Sequence, residues 1–411
     1  CTFFVVLHVV FSDVLTQAQF TERVQATKSA RLRNGLLTYI WFGMEIAGIA
    51  ATLGAGPTIS ALGAQYNYLF CVVLSVALFV AAGAGYFEER KVTQEEVAVA
   101  RGYFWDQKEV VCLSLLTFAC TICMTVAILL SGDSSVNVLV ALVAGAILLF
   151  FLGIILSPVI AMFALFNLLM CMSQIPLEAA EFYFLTDTPE QYPEGPHLSS
   201  MFVGTVLGIA KMTGAAAGTF FYQYFSMNWT YRRWFFVTCC VLVPCRLSQI
   251  LFFERVNLHL GIPDWIWAIG SHFLFYMSER MIVTPICFSI SYLTPAGMEA
   301  TMFALLMGSA NFGTAIGSNI GAWLIHAMGV NPSGATGESA QFRRLRDVAI
   351  VMACLRIAFP LIFSFLLPTN TTSEKLISDD EDAATANSIW RRWRSVDGSG
   401  LRRRARAQTL S

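Results

Sequence analysis

The stretch TPAGMEATMFALLMGSANFGTAIGSNIGAWL, Thr294 to Leu324, decides the class of fold. It is long enough to cross a bilayer, yet it is not a uniform greasy anchor. It opens on a Pro295-Ala296-Gly297 turn and a charged Glu299, and it carries Asn311 deep inside. Glycine then recurs every fourth residue, at Gly313, Gly317 and Gly321. Small residues four apart share one helix face and let a second backbone come close. An Asn beside such a face is costly in a membrane unless a partner, water or ligand satisfies it. The pattern predicts a helix packed inside a transmembrane bundle, one able to line a path.

Composition extends that reading to the whole chain. The 411 residues are 56% hydrophobic and 13% charged, with a mean hydropathy of +0.63. Soluble domains carry roughly 25% charged residues, so the class is an all-α polytopic membrane protein. The 11 cysteines lie mostly in apolar runs and match no zinc or disulfide framework, so they read as packing residues.

About 20 apolar residues cross about 30 Å of hydrocarbon, and roughly eleven stretches meet that length. They run over 1–15, 35–55, 64–86, 108–131, 135–156, 158–183, 199–224, 232–253, 264–290, 297–328 and 347–367. The connections are short, and Ser157-Pro158 makes the tightest turn. The apolar start at Cys1 lacks a basic n-region and reads as the tail of a transmembrane helix rather than a signal peptide. Lys and Arg gather after the first span, in the loop at 87–107, after span 199–224 and in the tail, which places those segments in the cytosol. Arg343, Arg344 and Arg346 break the pattern. Residues 368–411 turn polar, acidic at Asp379 to Asp382 and then basic, and read as a disordered cytosolic tail. Asn228-Trp229-Thr230 and Asn370-Thr371-Thr372 are glycosylation acceptors by pattern, but both fall on the cytosolic side.

Charges inside these spans are the main functional signal. Each costs roughly 2.5–3.5 kcal/mol at a helix centre on an insertion scale. Glu45 lies in 35–55, Glu178 and Glu181 share a face of 158–183, and Lys211 interrupts 199–224. Arg246, the adjacent pair Glu279-Arg280, and Arg356 follow. Arg246 and Arg356 fall where a long side chain can snorkel to the interface. Glu178 and Glu181 read as partners for Lys211. GTVLG and GAAAG at Gly204 to Gly218 add a second small-residue face.

Several chemistries lack their motifs. There is no Walker loop, HExxH, plausible GxSxG, Cys/His cluster, TVGYG filter or voltage-sensor repeat. The sequence therefore points away from an enzyme and calls for no cofactor, metal or nucleic acid. A secondary transporter needs only polar groups at mid-membrane and two packings of similar energy.

Longer motifs carry a resemblance. SDVLTQAQFTERVQ (Ser12 to Gln25), EFYFLTDTPEQYPEGPH (Glu181 to His197), NWTYRRWFF (Asn228 to Phe236), GIPDW (Gly261 to Trp265), PAGMEATMFALLMG and HAMGVNPSGA (His326 to Ala335) resemble the folate–biopterin transporter family of the major facilitator superfamily. The likeness is greatest to its trypanosomatid branch. The chain departs from the pattern at Thr294, where the family usually has Cys, and at Glu279-Arg280. The resemblance implies a plasma-membrane carrier of folate, biopterin or related pteridines, proton-coupled and working by alternating access. Other members carry solutes such as S-adenosylmethionine. It also implies a division into 1–86 (the rest of an N-terminal half lacking its first three helices), a cytosolic loop 87–107, two extra helices at 108–156, a six-helix half at 158–367 and the tail 368–411.

A pteridine's ring edge offers paired donors that a carboxylate accepts, and its flat face favours aromatic stacking. Folate's carboxylates call for Arg or Lys. Glu178, Glu181, Lys211, Arg280 and Asn311 are accordingly the expected substrate-binding residues, with Phe182 or Tyr183 stacking. Asp13, Glu45, Asp187 and Glu279 are expected as proton-coupling or structural charges. Pro295, Gly297, Glu299, Gly313, Gly317 and Gly321 are expected to pack or gate the mouth.

Overall fold

The computed structural model describes residues 2–27, 29–86, 93–226, 229–294, 298–367, 369, 371 and 384–394. The first helices are α1 (Thr2–Ala26), α2 (Ala30–Leu62), α3 (Asn67–Gly83), α4 (Gln94–Asp106), α5 (Lys108–Ser131) and α6 (Ser134–Ile155). Then come α7 (Pro158–Met172), α8 (Glu178–Thr186), α9 (Gly208–Phe225), α10 (Tyr231–Phe253) and the single turn α11 (Val256–His259). The last are α12 (Asp264–Leu293), α13 (Glu299–Ala327), the single turn α14 (Ser339–Phe342) and α15 (Leu345–Phe363). No strand occurs among the described residues, only an isolated bridge between Thr230 and Thr371. Among the described residues, seven helices are long and apolar enough to cross a membrane, and α3 and α7 are shorter apolar helices. The protein is an all-α polytopic membrane protein.

Local chemistry sets the boundaries. Between α5 and α6 the chain turns through Gly132 at φ 59°, and Asp133 caps α6 by accepting from the Ser135 N–H at 2.8 Å. The tight turn at Ser157-Pro158 is present, with Pro158 at the first position of α7, where its missing N–H costs nothing. The loop expected at 87–107 contains a helix instead. Thr93 and Glu96 form a reciprocal capping box at the start of α4, with bonds of 2.8 and 3.2 Å.

The largest departure is in the span expected at 158–183, which is two helices. Helix α7 stops at Met172, and α8 starts at Glu178. Pro176 has no N–H to donate and drives Ile175 away from the helical region. The carbonyl of Met170 is instead satisfied by Ser173 Oγ at 2.7 Å and by Arg356 Nη1 at 2.6 Å. Arg356 is therefore fully buried, at 1% exposure, and does not snorkel.

The glycine face of α13 receives this broken element. A Cβ at Gly317 would stand 2.6 Å from the Met172 carbonyl oxygen and 3.1 Å from that of Gln174. Gly313 lies against the Leu168 carbonyl, and Gly321 against Ile175 and Pro176. Gly214 and Gly218 of α9 bring that helix onto the α12 backbone at Phe273 and Met277. Gly313 and Gly317 on one helix and Gly214 and Gly218 on the other are close contacts with backbone, whereas Gly208 meets only the Thr52 side chain and Gly204 meets nothing within 4 Å.

One core cluster runs through α6, α7, α10, α12 and α13, around Phe163, Phe166, Phe235 and Phe288. A second, around Phe184, Tyr192, Phe252 and Phe342, lies under one mouth of the bundle. Connecting segments gather at two faces. One holds the loops at 187–201, 254–263 and 329–344; the other holds the α6–α7 turn, α4 and residues 384–394.

Part of the expected disordered tail is ordered. Ser157 N–H donates to the Ala384 carbonyl at 2.8 Å, Thr385 Oγ1 to Gln107 at 3.0 Å, and Arg391 to the Asp106 carbonyl at 2.7 Å. Ala384, Thr385 and Ser388 are buried. Pro295, Gly297, Asn228 and Asn370 lie outside the described residues.

Candidate functional site

The break between α7 and α8 opens onto a cavity of about 470 Å³, within the ordinary range for small-molecule sites. Its wall is built from Met44 and Glu45 of α2, the connector Gln174–Leu177, Glu178 and Glu181 of α8, Met212 and Ala215 of α9, Arg246 and Gln249 of α10, and one face of α12. Four carboxylates (Glu45, Glu178, Glu181, Glu279) face two guanidiniums (Arg246, Arg280) across it.

Most of these charges are tied to each other. Glu279 takes Arg246 at 2.5 Å and Arg356 at 2.6 Å, and Arg356 also donates to Ser173 Oγ at 3.0 Å. This triad ties α10, α12 and α15 to the end of α7. Glu45 is buried against Arg280, joining α2 to α12. The neighbours Glu279 and Arg280 both reach the cavity because Glu279 turns toward α10 and α15 while Arg280 turns toward α2. Sequence spacing, about 100° per residue, leaves no room for both to face one partner.

The remaining groups are less committed. Glu181 accepts from Gln249 Nε2 at 3.1 Å and faces His272 Nε2 at 3.7 Å. Glu178 is an exposed carboxylate at the cavity edge. Phe275 and Tyr276 supply the aromatic wall, Phe275 lying 4.1 Å under the Arg246 guanidinium.

Of the expected binding residues, Glu178, Glu181 and Arg280 come together here, as do Glu45 and Glu279. Lys211 does not line the cavity; its ammonium sits 5.2 Å over the Tyr276 ring. Asn311 is exposed on α13, away from the cavity. Phe182 is 42% exposed, and Tyr183 packs at the Gly334 turn, so neither stacks at the site. Asp13, on α1, is half-buried with Gln17 at 3.5 Å. Glu299 opens α13, where a carboxylate complements the helix dipole.

Asp187 ends α8 at the mouth, where the FYFLTDTPEQYPEGPH motif forms a clasp. Gln191 Nε2 donates to the Gly334 carbonyl at 2.5 Å, and Glu338 N–H to the Gln191 carbonyl at 2.9 Å. Tyr192 stacks on Phe342 with centroids 4.3 Å apart. Glu338 accepts three backbone N–H groups, from Ser333, Gly334 and Ala335, at 2.8 to 3.3 Å. Burial and the neighbouring Glu338 push the Asp187 carboxyl up to about 7. The three amides and the Asp187 bond outweigh burial and hold Glu338 below its usual value. In the same clasp, Arg255, at φ 57° ahead of α11, pairs with Asp264 of the GIPDW turn at 2.9 Å.

Comparison with known proteins fixes the family. The model of the BT1 family matches residues 1–387. The chain belongs to the BT1 family. Among similar proteins, a probable folate-biopterin transporter 2 of Arabidopsis thaliana is 27% identical over 206 residues, which are 49% of this chain and 39% of that protein. A folate-biopterin transporter of Synechocystis sp. is 27% identical over 208 residues, 50% of this chain and 38% of the relative. Folate transporter 1 of Plasmodium falciparum is 25% identical over 155 residues, 38% of this chain and 29% of the relative. The matched part thus spans about two fifths or less of these relatives' lengths.

Sequence reasoning missed Gln174, Gln249, His272, Phe275 and Tyr276. The signal for the first was available: a polar residue two before a proline, inside an apolar run, marks a helix break. Nothing in the spacing distinguishes His272 or Phe275 from packing residues.

Proposed function

We propose that this chain forms the solute-binding part of a secondary carrier for folate, biopterin or a related pteridine, acting by alternating access in the plasma membrane. The observation that carries the reading is the charged cavity at the α7–α8 break. It is lined by an exposed carboxylate, Glu178, whose partner is the Tyr276 hydroxyl, and by the aromatic side chains Phe275 and Tyr276. Interrupted helices that present polar groups at a bundle interior are a recurring way for carriers to bind solute. The names of the relatives support the solute class.

In this reading Glu178 accepts the paired N–H donors of the pteridine edge, and Phe275 or Tyr276 stacks on the ring. Arg280, already paired with Glu45, meets an anionic tail only by releasing that carboxylate. A ring with donors is therefore favoured over a polyanion. Residues 158–367 act as one six-span half that rocks against α2, and the Glu279 triad holds α7, α10, α12 and α15 together as it moves.

Uptake into proteoliposomes tests this. Labelled biopterin is expected to accumulate, with competition by folate and a loss of transport in Glu178→Gln. Competition by S-adenosylmethionine but not by biopterin would assign another solute to the same fold. No solute flux of any kind would leave a membrane receptor or scaffold.

A further inference from the structure

The hydrogen bonding of His272 fixes where its proton lies. Nδ1 stands 2.8 Å from the carbonyl oxygen of Ala268, one helical turn earlier. A carbonyl only accepts, so Nδ1 carries the hydrogen, and in the neutral ring Nε2 is a bare lone pair. That lone pair points at Glu181 Oε1, 3.7 Å away. Both groups are nearly sealed from solvent, His272 at 5% exposure and Glu181 at 8%. With Glu181 ionised and His272 neutral, two acceptors face each other in a poorly solvated site. One added proton, on either atom, turns that contact into an attraction.

We propose that Glu181 and His272 together form the single-proton site of this carrier. The proposal rests on the carrier reading above and names its coupling residues. Glu279, clamped by two guanidiniums, and Glu45, held by one, fit the structural side of their expected role as proton-coupling or structural charges.

The other charges facing the pair are spoken for. Arg246 of α10 reaches toward Glu181 but is held by Glu279. Arg280 of α12 is held by Glu45 of α2. Lys211 of α9 sits over Tyr276, and Glu178, on the same turn of α8 as Glu181, is the hydrogen-bond partner of the Tyr276 hydroxyl. Gln249 donates to Glu181 in either state.

The placement couples the proton to conformation. Glu181 lies on α8, a nine-residue helix joined to α7 only through the non-helical connector at 173–177. His272 lies on the long α12. A protonated pair draws α8 onto α12 and completes the cavity wall, and an empty pair pushes them apart. By linkage, solute that needs the completed wall must raise proton affinity to the same degree that protonation raises solute affinity.

The test uses purified protein in detergent, with biopterin as probe. Wild type is expected to take up about one proton per biopterin bound, and its apparent Kd is expected to rise toward tenfold per pH unit above the pair's titration. His272→Gln and, independently, Glu181→Gln are expected to lose the proton uptake and to flatten the pH profile. Melting temperature and monodisperse elution establish that each variant is folded. Infrared difference spectra between about pH 5 and pH 8, taken without solute, are expected to show one titrating imidazole or carboxyl band that is lost in both variants. Wild-type binding without proton uptake, or a pH profile unchanged in either folded variant, overturns the proposal and leaves the carrier standing. Absence of biopterin and folate binding would instead count against the carrier reading. In that case the infrared titration alone decides the pair: a band that survives both substitutions overturns it.

Discussion

Arg356 and Glu279 lie 77 residues apart in the chain and meet through three contacts, Nη2 to Oε2 at 2.6 Å, Nε to Oε2 at 3.1 Å and Nε to Oε1 at 3.3 Å. Arg356 simultaneously satisfies the free carbonyl of Met170 at the end of α7. One buried cation thus binds the helix break to the bundle. Removing one member of a buried pair leaves an uncompensated charge and costs about 3–5 kcal/mol. Glu279→Gln strands both Arg246 and Arg356, so it is expected to lower the thermal midpoint in detergent more than Arg356→Met does. Equal midpoints for both variants and wild type would remove the brace from the account.

The glycine face of α13 gives a graded prediction. Gly317→Ala places a methyl group against two backbone carbonyls of the connector, and backbone cannot swing aside as a side chain does. Overpacking of this kind costs about 1–3 kcal/mol. Gly308→Ala on the same helix meets nothing within 4 Å and is expected to be neutral or slightly stabilising. Melting curves of the two variants side by side make the comparison. A neutral Gly317→Ala would mean that α13 does not seat the connector.

The mouth clasp predicts a pH dependence of known sign. The Asp187 carboxyl moves up from 3.8 to about 7. The folded state therefore binds more proton than the unfolded chain between these values, and stability falls as pH rises from about 4 to about 7. Glu338 moves the other way. Its contribution is present above the ordinary value of 4.5 and is lost as pH falls through its lowered folded value. Asp187→Asn keeps a neutral partner for Glu338 at all pH. The variant is expected to match wild type near pH 5 and to melt higher near pH 8. A wild-type midpoint that rises over that range would contradict the clasp.

The docked tail segment makes a smaller prediction. Arg391 and Arg394 approach Glu109 at 3.8 and 3.9 Å, and partly exposed pairs of this kind contribute at most about 1 kcal/mol. Glu109→Ala is expected to leave the melting midpoint nearly unchanged. Cleavage between residues 384 and 394 by trypsin should become faster. Cleavage at the wild-type rate would assign the docking to the Ser157–Ala384, Thr385–Gln107 and Arg391–Asp106 hydrogen bonds.

How far the sequence reveals this molecule differs between fold and site. The positions of the helices follow from long apolar runs, and the turn at Ser157-Pro158 follows from proline chemistry. The glycine spacing of α13 announced a close approach, although not that its partner is a broken helix. That break depends on Pro176 acting together with Arg356, which is remote in sequence and takes up a freed carbonyl; local pattern cannot supply such a partner. Helix α4 lies in a stretch read as a loop, and its one local start signal is the Thr93–Glu96 capping pair. Glu178, Glu181, Glu45, Glu279 and Arg280 stood out because charge is costly in a membrane, and all five reach one cavity. Lys211 and Asn311 stood out for the same reason but point elsewhere, because periodicity does not fix the rotation of a helix whose apolar residues surround it. His272 and Phe275 are ordinary residues for a span and acquire meaning only from what faces them.

The most direct test of the central claim is equilibrium binding of labelled biopterin to the purified protein, wild type against Glu178→Gln. A hydrogen bond to a charged group contributes about 1.5–3 kcal/mol, so the account predicts saturable wild-type binding that weakens by about tenfold or more in the variant. Melting behaviour should be unchanged, since Glu178 is exposed. Equal affinity in the two proteins would contradict the placement of the solute at the α7–α8 break.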